Sequence, residues 1–273
     1  MYEAYWGLDT KPFEPTSDPR FYYPGEAHQG ALLKLRYVLE SRRGGALLTG
    51  AAGLGKTLLV QSLFRQLPES LAPRVHLVFP QLPPDQLLSY LADELTNERP
   101  RAGETSLHQC VRRIQTALTE IHEAGRHAVL AVDEAQLVCD PVTLETLRLL
   151  LNFEVDAHPG LTLLLIGQPS LLPTMQRMPG LEERLAVKCL LRPLHLEESI
   201  SYISHRLTAA GARRAVFTPA AMETVHHLAH GVPRKINRLC DLSLLIAFAE
   251  ERTEIGPEQI EAVSGELITV APE

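Results

Sequence analysis

Most features that would mark this chain as secreted, metal-stapled or membrane-spanning are missing from it. Its four cysteines, Cys110, Cys139, Cys189 and Cys240, are scattered and form no CxxC pair, which argues against a zinc ribbon and a disulfide framework. Three of them sit among apolar neighbours and read as buried, reduced thiols. No apolar run approaches the ~20 residues needed to cross a bilayer. The start, "MYEAYWGLDT", lacks the basic and apolar regions of a signal peptide, so the expected compartment is the cytoplasm. Aromatics make up only 5%, which leaves most of the core to Leu, Val, Ile and Ala. Positive charge is not in excess either: 26 Lys and Arg face 33 Asp and Glu, for a net charge of −7. That balance disfavours a general nucleic-acid coat. From Glu250 onward the chain carries seven Glu against one Arg, so the rest is nearly neutral and has room for a local basic patch.

What is present is enough chain, 273 residues, for one large or two modest domains with a substantial core. Residues 1–27 are rich in Pro and aromatics, include the one Trp, and show no sustained helical period; they are expected to form an ordered, docked arm. Residues 28–43 read as an amphipathic helix with Leu32, Leu35 and Leu39 on one face, ended by Gly44-Gly45. Short apolar runs then alternate with helical stretches. Strands are expected at 46–49, 75–79, 128–132, 161–166 and 188–192, and helices near 56–67, 84–97, 106–124 and 142–153. Continuous apolarity suits strands covered on both faces of a parallel sheet, and the alternation means an α/β layered domain over 28–193. Beyond 193 helical segments come at 196–210, 219–229, 233–250 and 257–264, punctuated by Gly and Pro. This gives a helical lid over 194–264 and an acidic tail over 265–273.

"GAAGLGKT", Gly50 to Thr57, falls between the first expected strand and a helix and fits G-x-x-x-x-G-K-[ST]. The loop Gly50, Ala51, Ala52, Gly53, Leu54, Gly55, with Leu58 just beyond it, permits consecutive backbone N–H groups to face phosphate oxygens. Lys56 would meet the β- and γ-phosphates and the Thr57 hydroxyl would ligate Mg²⁺. "HAVLAVDEAQ" ends a strand in two carboxylates. Asp133 would hold Mg²⁺, usually through water, and Glu134 would polarise an attacking water; alone, such a pair more often caps the following helix. Gln168 in "LLIGQPSLL" stands where ligands gather in open α/β sheets. It would bond the γ-phosphate or orient the water, or "GQP" is simply a turn.

Together these features resemble an AAA+ ATPase with a parallel five-stranded sheet and a C-terminal lid. "YWGLDTKPFEPTSDPRFYYPGEAH", "LAVDEAQLV", "TLRLLLNFE", "LEERLAVKCLLRPL" and "HGVPRKINRLCD" narrow the likeness to the ExeA/GspA family of general-secretion ATPases, itself similar to the ATPase regulators of certain transposons. The likeness runs over about residues 1–262. It implies ATP and Mg²⁺ as ligands and assembly into a ring or filament. It implies that Arg184 reaches a neighbouring subunit's nucleotide, that Arg234 contacts the γ-phosphate in cis, and that Tyr22 and Tyr23 wall the adenine. Taken alone, Arg184 would be a surface ion-pair partner and Arg234 an exposed first-turn arginine. The family continues into a membrane helix and an envelope domain, whereas this sequence ends in "LITVAPE". It is expected to be either a fragment of such a protein or a relative with other partners.

Two further readings stand beside this one. In a DNA-binding regulator, Arg112-Arg113, Arg213-Arg214 and Arg234-Lys235 with Arg238 would contact phosphates, although such pairs are ordinarily solvated. A small-molecule kinase would not need Glu134. His226, His227 and His230 place only two rings on one helical face and read as ordinary lid residues.

Overall fold

The computed structural model describes residues 1–14, 18–97, 106–138 and 140–269. In chain order these form α1 (Glu3–Trp6), α2 (Glu26–Glu40), β1 (Gly45–Thr49), α3 (Lys56–Gln66), β2 (Arg74–Leu77), α4 (Pro84–Thr96) and α5 (Leu107–Glu123). Next come β3 (Ala128–Val132), α6 (Pro141–Leu150), β4 (Glu154–Val155), β5 (His158–Pro159), β6 (Leu161–Gly167), α7 (Leu171–Gln176), α8 (Pro179–Glu182) and β7 (Leu185–Leu190). The last elements are α9 (Leu196–Ala209), α10 (Pro219–Ala229), α11 (Pro233–Ala249) and α12 (Pro257–Thr269). Two compact units result, one of residues 27–52 and 56–191, the other of residues 1–26, 53–55 and 192–273.

The α/β unit is built on a five-stranded sheet in the order β2-β3-β6-β1-β7, with every pair parallel, as the uninterrupted apolar runs imply. All residues of β1, β3 and β6 are buried, so these three strands are covered on both faces. From β1 the chain crosses to β2 at one edge, returns through β3 and β6, and ends in β7 on the other side of β1. The C-terminal end of β1 is therefore a topological switch point, where ligands of open parallel sheets bind.

The apolar core of this unit runs through Leu47, Leu130, Leu163 and Leu165 to Leu87, Leu91, Ile114 and Leu118 on the helices. Helix α5 starts at a capping box in which the Gln109 N–H donates to Ser106 Oγ while the Ser106 N–H donates to Gln109 Oε1, satisfying donors that the first turn would leave open.

Several local expectations are corrected. Helix α2 ends at Glu40 through Arg42 at φ 48°, so Gly44-Gly45 does not cap it. Gly45 begins β1 instead, and a Cβ there would lie 2.8 Å from the Leu163 carbonyl oxygen; close strand approach demands the glycine. Strand β7 begins three residues before the expected 188, because it is an edge strand that only alternates in burial and carries a weaker apolar signal than its neighbours. Helix α6 stops at Leu150, short of 153, and the chain runs on into the β4–β5 hairpin, whose tip, Asp156 and Ala157, has both residues at positive φ. Among its described residues the arm contains a helical turn, α1, closed by Gly7 in the left-handed region, and a 3₁₀ turn at Pro19–Phe21.

The helical unit has its own core, in which Tyr2, Trp6, Leu8, Phe13 and Phe21 of the arm pack with Ile203, Val225, Ile236 and Leu244 of the helices. Trp6 is fully buried and its indole N–H donates to the Leu244 carbonyl at 3.1 Å. The buried Arg206 guanidinium donates to the Pro12 and Glu14 carbonyls and lies 4.8 Å from the Phe21 ring centroid, so a cation is held by backbone acceptors and an aromatic face. Cys110, Cys189 and Cys240 are buried free thiols, and burial pushes the Cys189 and Cys240 thiols above their ordinary pKa. Cys139 and the tail residues 270–273 lie outside the described residues.

Candidate functional site

The loop between β1 and α3 owes its shape to glycine. Gly53 and Gly55 sit at φ 83° and 84°, which side chains with a Cβ rarely adopt. At Gly53 space is also lacking: a Cβ would come within 2.8 Å of Arg234 Cβ, and the Arg234 N–H donates to the Gly53 carbonyl at 3.3 Å. Ala51 and Ala52 are exposed, Leu54 is buried and Leu58 half-buried. The loop is anchored at its root, where the Gly50 N–H donates to the Gly167 carbonyl at 3.2 Å.

Lys56 is the first residue of α3 and is buried. Its ammonium donates to the Gly50 carbonyl at 2.9 Å and to the Ala51 carbonyl at 3.1 Å, which places a cation inside the curve of the loop. One residue on, the Thr57 hydroxyl donates to Asp133 Oδ2 at 2.7 Å. Asp133 is buried beyond the end of β3, its own N–H donating to the Leu77 carbonyl at 2.9 Å. Its second oxygen accepts the Glu134 N–H at 2.9 Å. Burial alone would raise the Asp133 pKa, but the adjacent His76 ring, the Thr57 hydroxyl and the Glu134 N–H outweigh it and hold the group below the ordinary carboxylate range. His76 on β2 has Nε2 3.4 Å from Asp133 Oδ2.

Glu134 stands in the left-handed region at φ 47° and its side chain makes no capping bond to the following turn, so the helix-cap alternative does not describe it. Its Oε2 instead accepts from the Gln136 side-chain amide. Gln136 Oε1 in turn accepts the Gln168 N–H at 2.9 Å. Gln136 lies within "LAVDEAQLV" but was not among the expected site residues. Its local signal was only that it comes after two carboxylates at a strand end. Gln168 is half-buried at the end of β6, and its carbonyl accepts the Leu171 N–H at 2.9 Å to close a turn.

The α/β unit thus gathers Gly50, Lys56, Thr57, Asp133, Glu134 and the Gln168 backbone around the ends of β1, β6 and β3. Arg184 is not among them. It lies in the turn before β7, where its guanidinium donates to the Leu151 carbonyl at 3.2 Å. Arg234 belongs to the helical unit, in the first turn of α11. In the same unit, Tyr22 has a buried hydroxyl with no hydrogen-bond partner among the described residues, and Tyr23 meets Tyr202 and His205 edge-on at 5.6 and 5.8 Å. His226 bonds Ser199 at 2.8 Å, and His230 closes α10 in the left-handed region.

The parallel sheet in the order β2-β3-β6-β1-β7, with a glycine loop at its switch point leading into α3, has the P-loop fold of the AAA+ class. Residues 39–175 match the AAA domain family, and the chain belongs to it. Over 252 residues it is 37% identical to general secretion pathway protein A of Aeromonas hydrophila, a match that covers 91% of this chain and 45% of that protein. The chain therefore spans less than half the length of that relative. Among solved structures it is similar to Cdc6p of Pyrobaculum aerophilum, with a TM-score of 0.74 at 18% identity over 97% of this chain and 75% of that one. It is also similar to the ORC2 protein of Aeropyrum pernix in ADPNP–ADP complexes, with a TM-score of 0.73 at 15% identity over 98% of this chain and 74% of that one. At these identities the two structures speak to the fold. Among the described residues no helix is long and apolar enough to cross a membrane.

Proposed function

We propose that this protein is an Mg²⁺-dependent ATPase that assembles with copies of itself and acts as a switch on a protein partner of a secretion or envelope-assembly system. The observation that carries the proposal is the Thr57–Asp133 hydrogen bond at 2.7 Å beside the buried Lys56 ammonium. A hydroxyl and a carboxylate at that spacing suit a hard cation that takes oxygen ligands. A buried lysine whose ammonium faces the oxygen acceptors of a glycine loop suits phosphate.

In this reading the N–H groups of residues 51–57 wrap the phosphates, and Lys56 turns its ammonium from the loop carbonyls to the β- and γ-phosphate oxygens. Thr57 and Asp133 hold Mg²⁺, which supplies charge neutralisation on the phosphate oxygens when bound. Glu134 accepts a proton from the attacking water, and the Gln168 side chain bonds the γ-phosphate or that water. Arg234 contacts the γ-phosphate in cis, and Tyr22 and Tyr23 border the adenine. Arg184 serves the nucleotide of a neighbouring copy, which makes hydrolysis depend on assembly. The partner class rests on the similarity to a general secretion pathway protein.

Phosphate release from ATP, followed across protein concentration with and without Mg²⁺, tests the proposal. Turnover that rises more than linearly with protein, needs the cation and vanishes in Glu134→Gln is the expected result. A wild-type chain that binds ATP yet releases no phosphate at any concentration contradicts it.

A further inference from the structure

We infer that Gln136 is a positioning residue that ties the Glu134 carboxylate to the end of β6. The inference rests on the reading of Glu134 as the group that takes a proton from water, and it adds a residue and a coupling that the nucleotide motifs do not contain. Gln136 sits in the 3₁₀ turn, Ala135–Leu137, that comes directly after the two carboxylates. Its side chain faces two partners from different parts of the chain. On one side the amide N–H donates to Glu134 Oε2; on the other Oε1 accepts the backbone N–H of Gln168 at 2.9 Å.

The chemistry of the bridge restricts what can form it. An ionised carboxylate only accepts and a backbone N–H only donates. The connecting group must therefore donate at one end and accept at the other, as a primary amide does. A carboxylate at 136 would accept from Gln168 but repel Glu134, and an ammonium would serve Glu134 but not Gln168. Side-chain length matters too, since asparagine is one methylene shorter. The surroundings fit the bridge closely: a Cβ at Gly167 would lie 2.7 Å from Gln136 Oε1 and 3.4 Å from its backbone N. Gly167 is thus the residue that lets the amide reach the strand end.

Glu134 needs such a support. Its backbone stands at φ 47° off the end of the strand, and its side chain makes no capping bond to the backbone of the turn it precedes. The Gln136 amide gives that carboxylate a fixed partner, and through Oε1 the partner moves with Gln168. A shift at the end of β6, where the γ-phosphate contact is proposed, is thereby passed to Glu134. Outer-shell partners of this kind change activity about 10- to 100-fold when removed from metal sites, and a comparable range is expected here.

The test is a double-mutant cycle of the full chain read by single-turnover ATP hydrolysis, with nucleotide affinity measured separately. Gln136→Ala should lower the hydrolysis rate about 10-fold or more and leave the ATP Kd within about 3-fold. Glu134→Gln should lower it further, and Gln136→Ala added to Glu134→Gln should change the residual rate by less than about 2-fold, because a residue acting through Glu134 has nothing left to position. Gly167→Ala, which displaces the amide without removing it, should reproduce the rate loss with ATP still bound. Wild-type turnover in Gln136→Ala alongside an inactive Glu134→Gln overturns this inference alone, as does a full additive loss in the double variant. Wild-type turnover in Glu134→Gln overturns the role of Glu134 and this inference with it.

Discussion

Thr57 in the first turn of α3 and Asp133 just beyond β3, 76 residues apart in the chain, meet through a 2.7 Å hydrogen bond. Between β1, which leads through the glycine loop to α3, and β3, which delivers Asp133, lies β6. The pair therefore exists only when three parallel strands have been assembled in this order, and it links the glycine loop after β1 to the carboxylates after β3.

Thr57→Ala should raise the Kd for ATP about 10-fold or more in the presence of Mg²⁺ and have little effect in EDTA. Thr57→Ser should behave almost as wild type, because it keeps the hydroxyl that faces Asp133. Titration of a fluorescent ATP analogue under both conditions checks this. An equal loss with and without the cation would assign Thr57 a structural task instead.

Arg184→Ala should abolish hydrolysis while ATP affinity stays within about 3-fold, because its proposed target is the nucleotide of another copy. Mixing Arg184→Ala with Glu134→Gln should restore part of the activity, since some interfaces then combine an intact Glu134 with an intact Arg184. The absence of any recovery in mixtures that do assemble removes the shared site.

Stability should depend on pH through His127. The ring is buried, and its Nε2 lies 2.9 Å from the Thr162 hydroxyl oxygen. That hydroxyl donates to the Arg43 carbonyl at 2.7 Å, so the neutral imidazole carries its proton on Nε2. Burial first, then Arg42 and His122, push its pKa from 6.5 down to about 4. Between those values the unfolded chain binds a proton that the native chain refuses, so stability rises with pH across this window and is complete above it. Roughly 3 kcal/mol separates the two ends. Urea unfolding from pH 4 to pH 7 should show that slope, and His127→Gln, which keeps a donor for Thr162, should flatten it.

Trp6→Ala should destabilise the helical unit by about 3–5 kcal/mol. A fully buried indole and its bond to the Leu244 carbonyl are both lost. Trp6→Phe, which loses the bond and part of the volume, should cost less. Thermal unfolding of both variants provides the measurement.

The architecture was readable where the physics is local and repetitive. β3 was expected at 128–132 and is found there, because a strand buried on both faces must be apolar at every position. The turn between β1 and α3 was readable because Gly53 and Gly55, both at positive φ, stand within a few residues of each other between an apolar run and a helix. Edge strand β7 was misplaced, since only Leu185 and Cys189 in it are buried and Leu185 to Val187 gave no contrast with the residues after them. Helices α7 and α8 and the β4–β5 hairpin are too short to show a period. Gln136 was missed as a site residue for a different reason. Its partners are Glu134 and the backbone of Gln168, 32 residues away, and nothing in a glutamine's neighbours announces a bond that exists only after β3 and β6 have paired. Gly44-Gly45 looked like a helix stop, but the glycine at 45 answers to the Leu163 carbonyl of a strand more than a hundred residues later.

Calorimetric titration of MgATP into the wild-type protein and into Lys56→Ala tests the central claim most directly. Saturable binding of one nucleotide per chain is expected, weakened at least about 100-fold by the substitution, because the ammonium now turned to the Gly50 and Ala51 carbonyls is the cation assigned to the β- and γ-phosphates. Equal affinity of the two proteins, or no heat of binding in either, would contradict it.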